Sequence, residues 1–565
     1  MIQPPSPTET GNVAAWPRRY WPFGLALAAA LLLAPSLVLG TLNSHSSPQN
    51  LTWAAQFTDQ FRAGVVYPRW LPDSFDRLGG PAFYFYPPLA FWVDALLSVA
   101  TFDVFSVSYR LSLSSLLLLW ASGISMHAWL KAEATSPRAA IVGALAYVAA
   151  PYHLLDHYYR GAYAEFAAYV VLPLVALSIR QIAERRRFGP VLLAGAYAAL
   201  PMAHLPTALL ISLTAIPMYV LYRGWRLGSA KAAAGFFIRC ALGGALGLGL
   251  AAIYLVPALA LQDWIPAETF WVSGYRIENW FLLTPERWLH PIDMMLIIAS
   301  FAAAYAIATL GVVATLVRGG GQQGWRSDAA FWAFVCLVCV LLIAGALPWF
   351  WRLPFVAKVQ FPWRLMIVVE FAAITALCLV RWPARSRVRL YAFIAAFVAF
   401  VPGAVVMVAG IGLRVQVALV QPDVPADLKQ FLPAGYPQKP NGGYAELSLE
   451  PLASVPMIAC APEPRICRAT GERFGELRIE VDADVPTVVV LRRFFFPFWR
   501  LDPALPVAAI DPLRLVSFAA PPGRHSYRLS RRAVAEEKAG WAISGLSLAL
   551  MLAWAAAAWR GIRPV

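Results

Sequence analysis

The chain has 565 residues, of which 59% are hydrophobic and 14% are charged, whereas an ordinary soluble domain carries about 25% charged residues. This composition excludes a string of soluble domains and indicates a polytopic α-helical membrane protein, because a membrane span needs about 20 apolar residues. The net charge of +15 does not indicate nucleic-acid binding, since the arginines lie in short loops and no nucleic-acid motif accompanies them.

Apolar runs along the chain predict about twelve membrane spans. The strongly basic loops 180–187, 223–231, 318–326 and 381–389 lie between them and are expected to face the cytoplasm. This rule predicts that both termini are cytoplasmic, and we expect the membrane to be a bacterial inner membrane. The predicted spans are 21–41, 108–129, 139–152, 162–179, 190–204, 206–222, 232–260, 292–317, 329–347, 363–380, 389–411 and 540–558.

A further apolar run, 87–103, is predicted to be re-entrant or interfacial. It is short, it begins at Pro87 and Pro88, and a full crossing here would move every later basic loop to the outer face. Irregular backbone at membrane depth has to be packed within protein. The alternative is that 139–152 does not span.

This topology divides the chain into three parts. Residues 1–411 form a multi-span membrane domain with a large first periplasmic loop at 43–86, and residues 539–565 form the last transmembrane helix and a cytoplasmic tail. Between them, 412–538 alternates short apolar segments with Pro, Gly and Asp, which predicts a periplasmic β-sandwich-like domain. Cys460 and Cys467 are its two cysteines, and an oxidising periplasm favours a disulfide between them.

The first periplasmic loop has the most distinctive sequence in the chain. Helical spacing of apolar residues over 49–63 predicts an amphipathic helix lying on the membrane. The rest of the loop, 64–88, is rich in aromatic residues, Pro and Gly. Either this segment is a structural cap over the helices, or it belongs to a functional site.

Ionisable groups at or near membrane depth are costly and are therefore functional candidates. Arginine suits phosphate groups, and a carboxylate can act as a general base, so the predicted site binds an anionic, phosphorylated substrate on the outer face. Arg69 and Arg364 could instead contact lipid head groups. The catalytic candidates are Asp59, His45 and Glu165. The substrate-binding candidates are Arg69, Tyr67, Trp70, Tyr84, Tyr86, His157, Arg160, His204 and Arg364.

Metal and cofactor signals are weak in this sequence. His153 and His157 are spaced like zinc ligands on a helix, but no third ligand is identifiable, so no metal site is predicted and a divalent-metal requirement is left open. Asp94 and Glu370 lie within apolar stretches, where a buried arginine is the expected partner. The absence of Walker, GxGxxG and GxSxG motifs argues against ATP-driven transport, dinucleotide chemistry and serine hydrolysis.

Several short motifs together resemble one group of bacterial membrane proteins. They are YPRWLP at 67–72, GGPAFYFYPP at 79–88, YYRGAYAEF at 158–166, AHLPTALL at 203–210 and QFPWR at 360–364, with LRRFFFPFWR and PPGRHSYRLS near the C-terminus. The chain resembles the family called "6-pyruvoyl-tetrahydropterin synthase related" over nearly its whole length, and it is similar to the YfhO-like proteins. The family name does not fit, because a pterin synthase is a soluble enzyme with three zinc-binding histidines.

The architecture of that family resembles the GT-C glycosyltransferases, which transfer a sugar from a polyprenyl-phosphate donor using an acidic residue in the first external loop. The resemblance implies that Arg69, Arg160 and Arg364 contact phosphate and that Glu165 belongs to the RGA-x-AE motif. The chain departs from the family pattern near Ser47. His45 matches, but the expected acid is a serine and the second histidine is replaced by Asn50, so Asp59 is the proposed substitute.

Three functions stay open at this point. The first is a glycosyltransferase using a polyprenyl-phosphate-linked sugar, with membrane lipids as its surroundings. The second is a non-catalytic membrane component of polysaccharide assembly or export, which the missing acid favours. The third, a transporter, is disfavoured because no internal repeat is visible.

Overall fold

The computed structural model describes residues 16–133, 135–270, 273–288, 292–318, 324–380, 387–420, 426–436 and 455–561. Within these ranges ten helices are long and apolar enough to cross a membrane, so the chain is a multi-pass membrane protein. Parts of the predicted basic loops 318–326 and 381–389, and both chain ends, lie outside the described residues.

Each predicted span coincides with a helix or with a pair of helices joined at a break. Two of the twelve, at Tyr20–Leu32 and Gly189–Ala203, are shorter apolar helices than the other ten. The helices up to residue 225 are α1 (Trp16–Leu32), α2 (Ala34–Leu39), α3 (Ser47–Arg62), α4 (Ser74–Arg77), α5 (Ala82–Phe85), α6 (Leu89–Ala100), α7 (Val107–Ala132), α8 (Pro137–Val148), α9 (Pro151–Leu155), α10 (Tyr163–Ala183), α11 (Gly189–Ala203), α12 (Leu205–Leu213) and α13 (Ala215–Trp225).

The second half of the membrane domain contains longer helices. The described helices are α14 (Ala230–Leu250), α15 (Ala252–Ala260), α16 (Ile292–Arg318), α17 (Gly324–Ala344), α18 (Pro348–Trp351), α19 (Met366–Leu379), α20 (Arg387–Val420) and the final helix α21 (Ala535–Trp559). Helix α20 continues to Val420, beyond the predicted domain boundary at 411, and α21 begins at Ala535, ahead of the predicted boundary at 539.

The run 87–103 forms the short helix α6, which has 12 residues. At 1.5 Å per residue it is about 18 Å long, and the hydrocarbon core of a bilayer is about 30 Å thick. Its length is therefore that of a re-entrant or interfacial segment. It packs within protein, with Phe91 fully buried and Asp94 paired with Arg110 at 3.0 Å.

The predicted amphipathic helix of the first loop is present as α3, but its apolar face is covered by protein and not by lipid. The ring of Phe57 lies 4.7 Å from that of Phe83 and 6.2 Å from that of Phe91. The Thr58 hydroxyl donates to Asp94. Apolar residues at helical spacing fit both environments, because a membrane surface and a protein core both select an apolar stripe.

Eight strands between residues 458 and 531 form two four-stranded antiparallel sheets, with the orders β1-β4-β7-β6 and β2-β3-β8-β5. Residues alternate between buried and exposed along β3, as expected where one face of a sheet packs on a core. Cys460 and Cys467 are joined by a disulfide. The strands are β1 (Ile458–Ala461), β2 (Ile466–Gly471), β3 (Leu477–Ala483), β4 (Thr487–Phe494), β5 (Trp499–Asp502), β6 (Ala508–Ile510), β7 (Leu515–Ala520) and β8 (Gly523–Arg531).

Candidate functional site

A buried charged cluster is centred on Glu165, in the first turn of α10. The Glu165 carboxylate is 0% exposed. One of its oxygens, Oε2, accepts a hydrogen bond from Arg160 Nη1 at 2.7 Å, and the other, Oε1, accepts one from the Tyr152 hydroxyl at 2.7 Å. We call Tyr152, Asp156, Arg160, Glu165, His204 and Arg364 the Glu165 cluster.

Two members of the Glu165 cluster come from distant parts of the sequence. Arg364 Nε lies 3.5 Å from Glu165 Oε2, and His204 Nδ1 lies 3.9 Å from the same oxygen. Arg364 belongs to a short 3₁₀ turn before α19, where Pro362 starts the turn. His204 is at the break between α11 and α12, and its Nδ1 is 2.7 Å from the Thr207 hydroxyl. Four segments of the chain therefore bring their charged or polar groups to one carboxylate.

Local backbone geometry places Arg160 at this point. Residues Asp156–Arg160 form a π-helical turn, which ends at Gly161 with a φ of 57°. Turns of this kind are frequent at functional sites. The turn brings Arg160 Nη1 to 2.5 Å from Asp156 Oδ1. A Cβ atom on Gly161 would lie 2.3 Å from Ser44 Oγ, so the turn packs against the first loop in a way that only glycine allows.

Glu370 lies next to the Glu165 cluster but has no arginine partner among the described residues. Its two oxygens accept hydrogen bonds from the backbone N–H of Tyr152 at 2.8 Å and from the Tyr169 hydroxyl at 2.7 Å. The prediction of a buried arginine partner is therefore wrong for Glu370. It is confirmed for Asp94, which accepts from Arg110 Nε at 3.0 Å.

Arg69, the other phosphate candidate, belongs to a separate network. It is 3% exposed, its Nε lies 3.4 Å from Glu537 Oε2 of α21, and its Nη2 donates to the carbonyl of Ile253 at 2.6 Å. Tyr84 also donates to Glu537, at 2.7 Å, and the Arg69 guanidinium lies over the Tyr67 ring. These contacts tie the first loop to α15 and α21. No described contact joins Arg69 to Arg160 or Arg364, so the expected convergence of the three arginines on one site stays a prediction.

Trp70 packs the first loop against the β-rich domain. Its ring lies 4.9 Å from that of Phe498 and 5.9 Å from that of Trp499. Arg492 forms an ion pair with Asp76, and Phe75 N donates to Asp427 at 2.6 Å. The motifs YPRW and FFFPFW are therefore two sides of one packed interface.

The remaining candidates fall in different surroundings. Asp59 is exposed on α3 and has no described contact with the Glu165 cluster, and its role as a base stays a prediction. His45 N donates to the carbonyl of Tyr159 at 3.1 Å, and burial and the nearby Arg160 charge lower the pKa of His45. Tyr86 is close enough to Arg364 and Glu165 to feel their charges, and burial raises its pKa to about 12.

The two histidines with zinc-like spacing have separate partners. His153 stacks on the Tyr169 ring at 3.7 Å between centroids, and His157 Nε2 lies 2.9 Å from the Ser36 hydroxyl. In the described ranges no three His, Cys, Asp or Glu side chains are grouped to hold a metal ion.

Two aromatic members of the site were missed by sequence reasoning. Tyr152 and Tyr169 donate their hydroxyl protons to Glu165 and Glu370, respectively. Tyrosine is common at the ends of membrane spans because its ring prefers the membrane–water interface, so neither residue stood out in the sequence. A signal was nevertheless present, since two carboxylates in apolar stretches require donors.

The sequence matches no protein-family model and no curated protein sequence.

Proposed function

We propose that the chain is a GT-C-like glycosyltransferase that takes a sugar from a polyprenyl-phosphate donor and transfers it to a cell-envelope glycan or glycolipid. In this proposal the end of the helices that carries the β-rich domain faces the periplasm of a bacterial inner membrane. The observation that carries the proposal is the meeting of Arg160 and Arg364 at one buried carboxylate.

Two guanidinium groups at one point provide the charge and the planar donors that a phosphate group requires. Arg364 Nε donates no hydrogen bond to any described residue, although it lies 3.5 Å from Glu165 Oε2. A phosphate oxygen would satisfy this donor better than the present contact does. We therefore assign Glu165 the role of a positioning residue that holds both arginines ready for an anion.

In the transfer step, the oxygen of the acceptor hydroxyl forms a bond to the anomeric carbon of the sugar. The bond between that carbon and the phosphate oxygen breaks, and the leaving lipid phosphate keeps the electron pair. Arg160 and Arg364 stabilise its charge. The proton of the acceptor hydroxyl goes to the carboxylate of Asp156, which lies beside Arg160 and whose Oδ2 has no hydrogen-bond partner among the described residues.

A second function is favoured by the number of partners that the Glu165 carboxylate already has. A carboxylate that accepts two hydrogen bonds and lies beside two arginines is a weak base, because its ionised form is stabilised. A non-catalytic component of polysaccharide assembly or export would use the same cluster to bind a lipid phosphate without transferring its sugar.

The experiment is a sugar-transfer assay on purified protein in detergent, with radiolabelled polyprenyl-phosphate sugars as donors and membrane extract as acceptor. Arg364→Gln is the test variant. Arg180→Gln is the matched control, because Arg180 forms a buried ion pair with Glu133 and lies on the same helix as Glu165. The 15 residues between Arg180 and Glu165 correspond to about 22 Å.

We expect transfer by the wild type and the control, and a loss of at least about 100-fold in Arg364→Gln, as for removal of one transition-state donor. Donor binding without transfer, in a wild type that is well folded, would support the non-catalytic function. Equal transfer by Arg364→Gln and the control would refute the assignment of the site.

A further inference from the structure

The segment that leads into α19 contains one residue with a strained backbone. Gln360 has a φ of 72° and a ψ of −57°, and the N–H of Phe361 donates to the carbonyl of Val359 at 2.9 Å. These values define a γ-turn of the rare, strained kind, with Gln360 at its centre. Residues held in sparsely populated conformations are concentrated at ligand-binding sites and switch regions.

The side chain of Gln360 explains why a residue other than glycine occupies this position. Glycine adopts a positive φ without strain, so the glutamine side chain has to offset what its backbone loses. Its Nε2 donates to the carbonyl of Phe270 at 2.5 Å, and its Oε1 accepts from Nη2 of Arg364 at 3.4 Å. The amide therefore joins the segment after α15 to an arginine of the Glu165 cluster.

The γ-turn also holds the other terminal nitrogen of Arg364. Its Nη1 donates to the carbonyl of Val359, which is the carbonyl that closes the turn. The guanidinium carbon lies 5.0 Å from the centre of the Phe361 ring. The turn thus contacts both terminal nitrogens, whereas Nε is left beside Glu165 with no hydrogen bond to a described residue.

The groups that the turn offers to Arg364 carry no net charge. A carbonyl, an amide and an aromatic ring hold a guanidinium in place without cancelling its charge, whereas a carboxylate partner such as the one Arg69 has in Glu537 would cancel it. Glu165 lies within 4 Å of Arg364, but it is shared with Arg160. Arg364 therefore keeps positive charge and a free donor for an anion.

We propose that Gln360 is a positioning residue, whose strained turn and side-chain amide hold Arg364 so that its Nε is presented to a phosphate group beside Glu165. This inference rests on the proposed function, in which Arg364 binds a lipid phosphate. The position of Arg364 can be measured without any lipid, so the two proposals can fail separately.

The first measurement is the rate at which phenylglyoxal, a reagent for arginine, modifies Arg364 in the purified full chain in detergent, followed by peptide mass spectrometry. The test variant is Gln360→Met, which keeps the side-chain length and removes both hydrogen bonds. We expect Arg364 to react at least about 10-fold faster in this variant, since a hydrogen bond to a charged group is lost. Arg110 is the internal reference, because it is 3% exposed and pairs with Asp94, and its rate should not change.

The second measurement is the preference for polyprenyl phosphate over polyprenol by native mass spectrometry, which a residue with a merely structural role would not alter. Gln360→Met should reduce this preference at least about 5-fold. Gln60→Met is the matched control. Its amide donates to the Trp70 carbonyl at 2.8 Å and has no described contact with Arg364, so both measurements should resemble the wild type.

Circular dichroism and size-exclusion chromatography would show which proteins are folded. An unchanged Arg364 rate in folded Gln360→Met would overturn the proposal, and so would an equal acceleration at Arg110, which would indicate general loosening. A faster Arg364 with the full phosphate preference would overturn it too, because the position of Arg364 would then not matter for phosphate. Absence of any phosphate preference in the wild type would refute the proposed function itself, and the modification rates would still show whether Gln360 holds Arg364.

Discussion

The substitution Glu165→Gln tests how strongly the buried carboxylate holds its two arginines. The amide can still accept from the Tyr152 hydroxyl and fills the same volume, so the change removes charge and little else. Arg160 retains Asp156 at 2.5 Å, whereas Arg364 loses the carboxylate 3.5 Å from its Nε. Removing one partner of a buried ion pair typically costs about 3–5 kcal/mol, and we expect a loss of stability at the lower end of that range.

A double-mutant cycle separates this interaction from other effects of the substitution. Arg364→Gln alone should also destabilise, but Glu165→Gln combined with Arg364→Gln removes both charges and should cost less than the sum of the single changes. The expected coupling is about 2 kcal/mol, within the range for residues in contact. The assay is equilibrium unfolding in mixed detergent and SDS micelles, followed by circular dichroism.

The control cycle pairs Glu165→Gln with Arg180→Gln. Both residues are on α10, but Arg180 forms its ion pairs with Glu133 and Glu184, so the two changes should be additive within about 0.5 kcal/mol. Additivity in the first cycle as well would refute the claim that Glu165 and Arg364 interact across the buried cluster.

Three further predictions concern the first loop and the β-rich domain. Trp70→Ala should destabilise the protein by about 3–5 kcal/mol, as for other buried tryptophans, because Trp70 is 1% exposed and packs on Phe498. Limited proteolysis should then cut the β-rich domain faster, and an unchanged cleavage rate would contradict this packing. Cys460→Ser should cost about 2–3 kcal/mol for a loop of this length, since the bonded cysteines are 7 residues apart, and mass spectrometry without reductant should show the disulfide in the wild type only. The lowered pKa of His45 means that the folded state binds a proton there less readily than the unfolded state does, so stability should fall as pH drops below about 6.5. In His45→Gln, the unfolding midpoint should depend less on pH between about pH 7.5 and 5.5. A pH profile identical to that of the wild type would refute the lowered pKa of His45.

The membrane spans were predictable because the requirement is local. Any helix that crosses a bilayer needs a long apolar run, and the sequence shows such runs without reference to the rest of the fold. The alternation along β3 was predictable for the same reason, since one buried face imposes a period of two. The stripe on α3 shows the limit of local patterns, because periodicity identifies an apolar face but does not say what covers it.

The candidate site was predictable only in part. Arg160 and Glu165 are five residues apart, and the motif that contains both drew attention to them. Arg69 looked equally suited to phosphate, but its partner Glu537 is 468 residues away in the sequence. Residue type states what a side chain can bind, whereas the fold decides which partner reaches it. On α3, Thr58 faces the protein while its neighbour Asp59 is exposed, and the catalytic role of Asp59 stays a prediction.

The central claim is that the Glu165 cluster binds the phosphate group of a lipid. The most direct measurement compares binding of a polyprenyl phosphate with binding of the corresponding polyprenol, which lacks the phosphate, by native mass spectrometry of the purified chain. We expect the wild type and Arg180→Gln to prefer the phosphate by at least about 10-fold, and Arg364→Gln to lose that preference. Equal binding of the two lipids by the wild type, or a preference that survives in Arg364→Gln, would contradict the account.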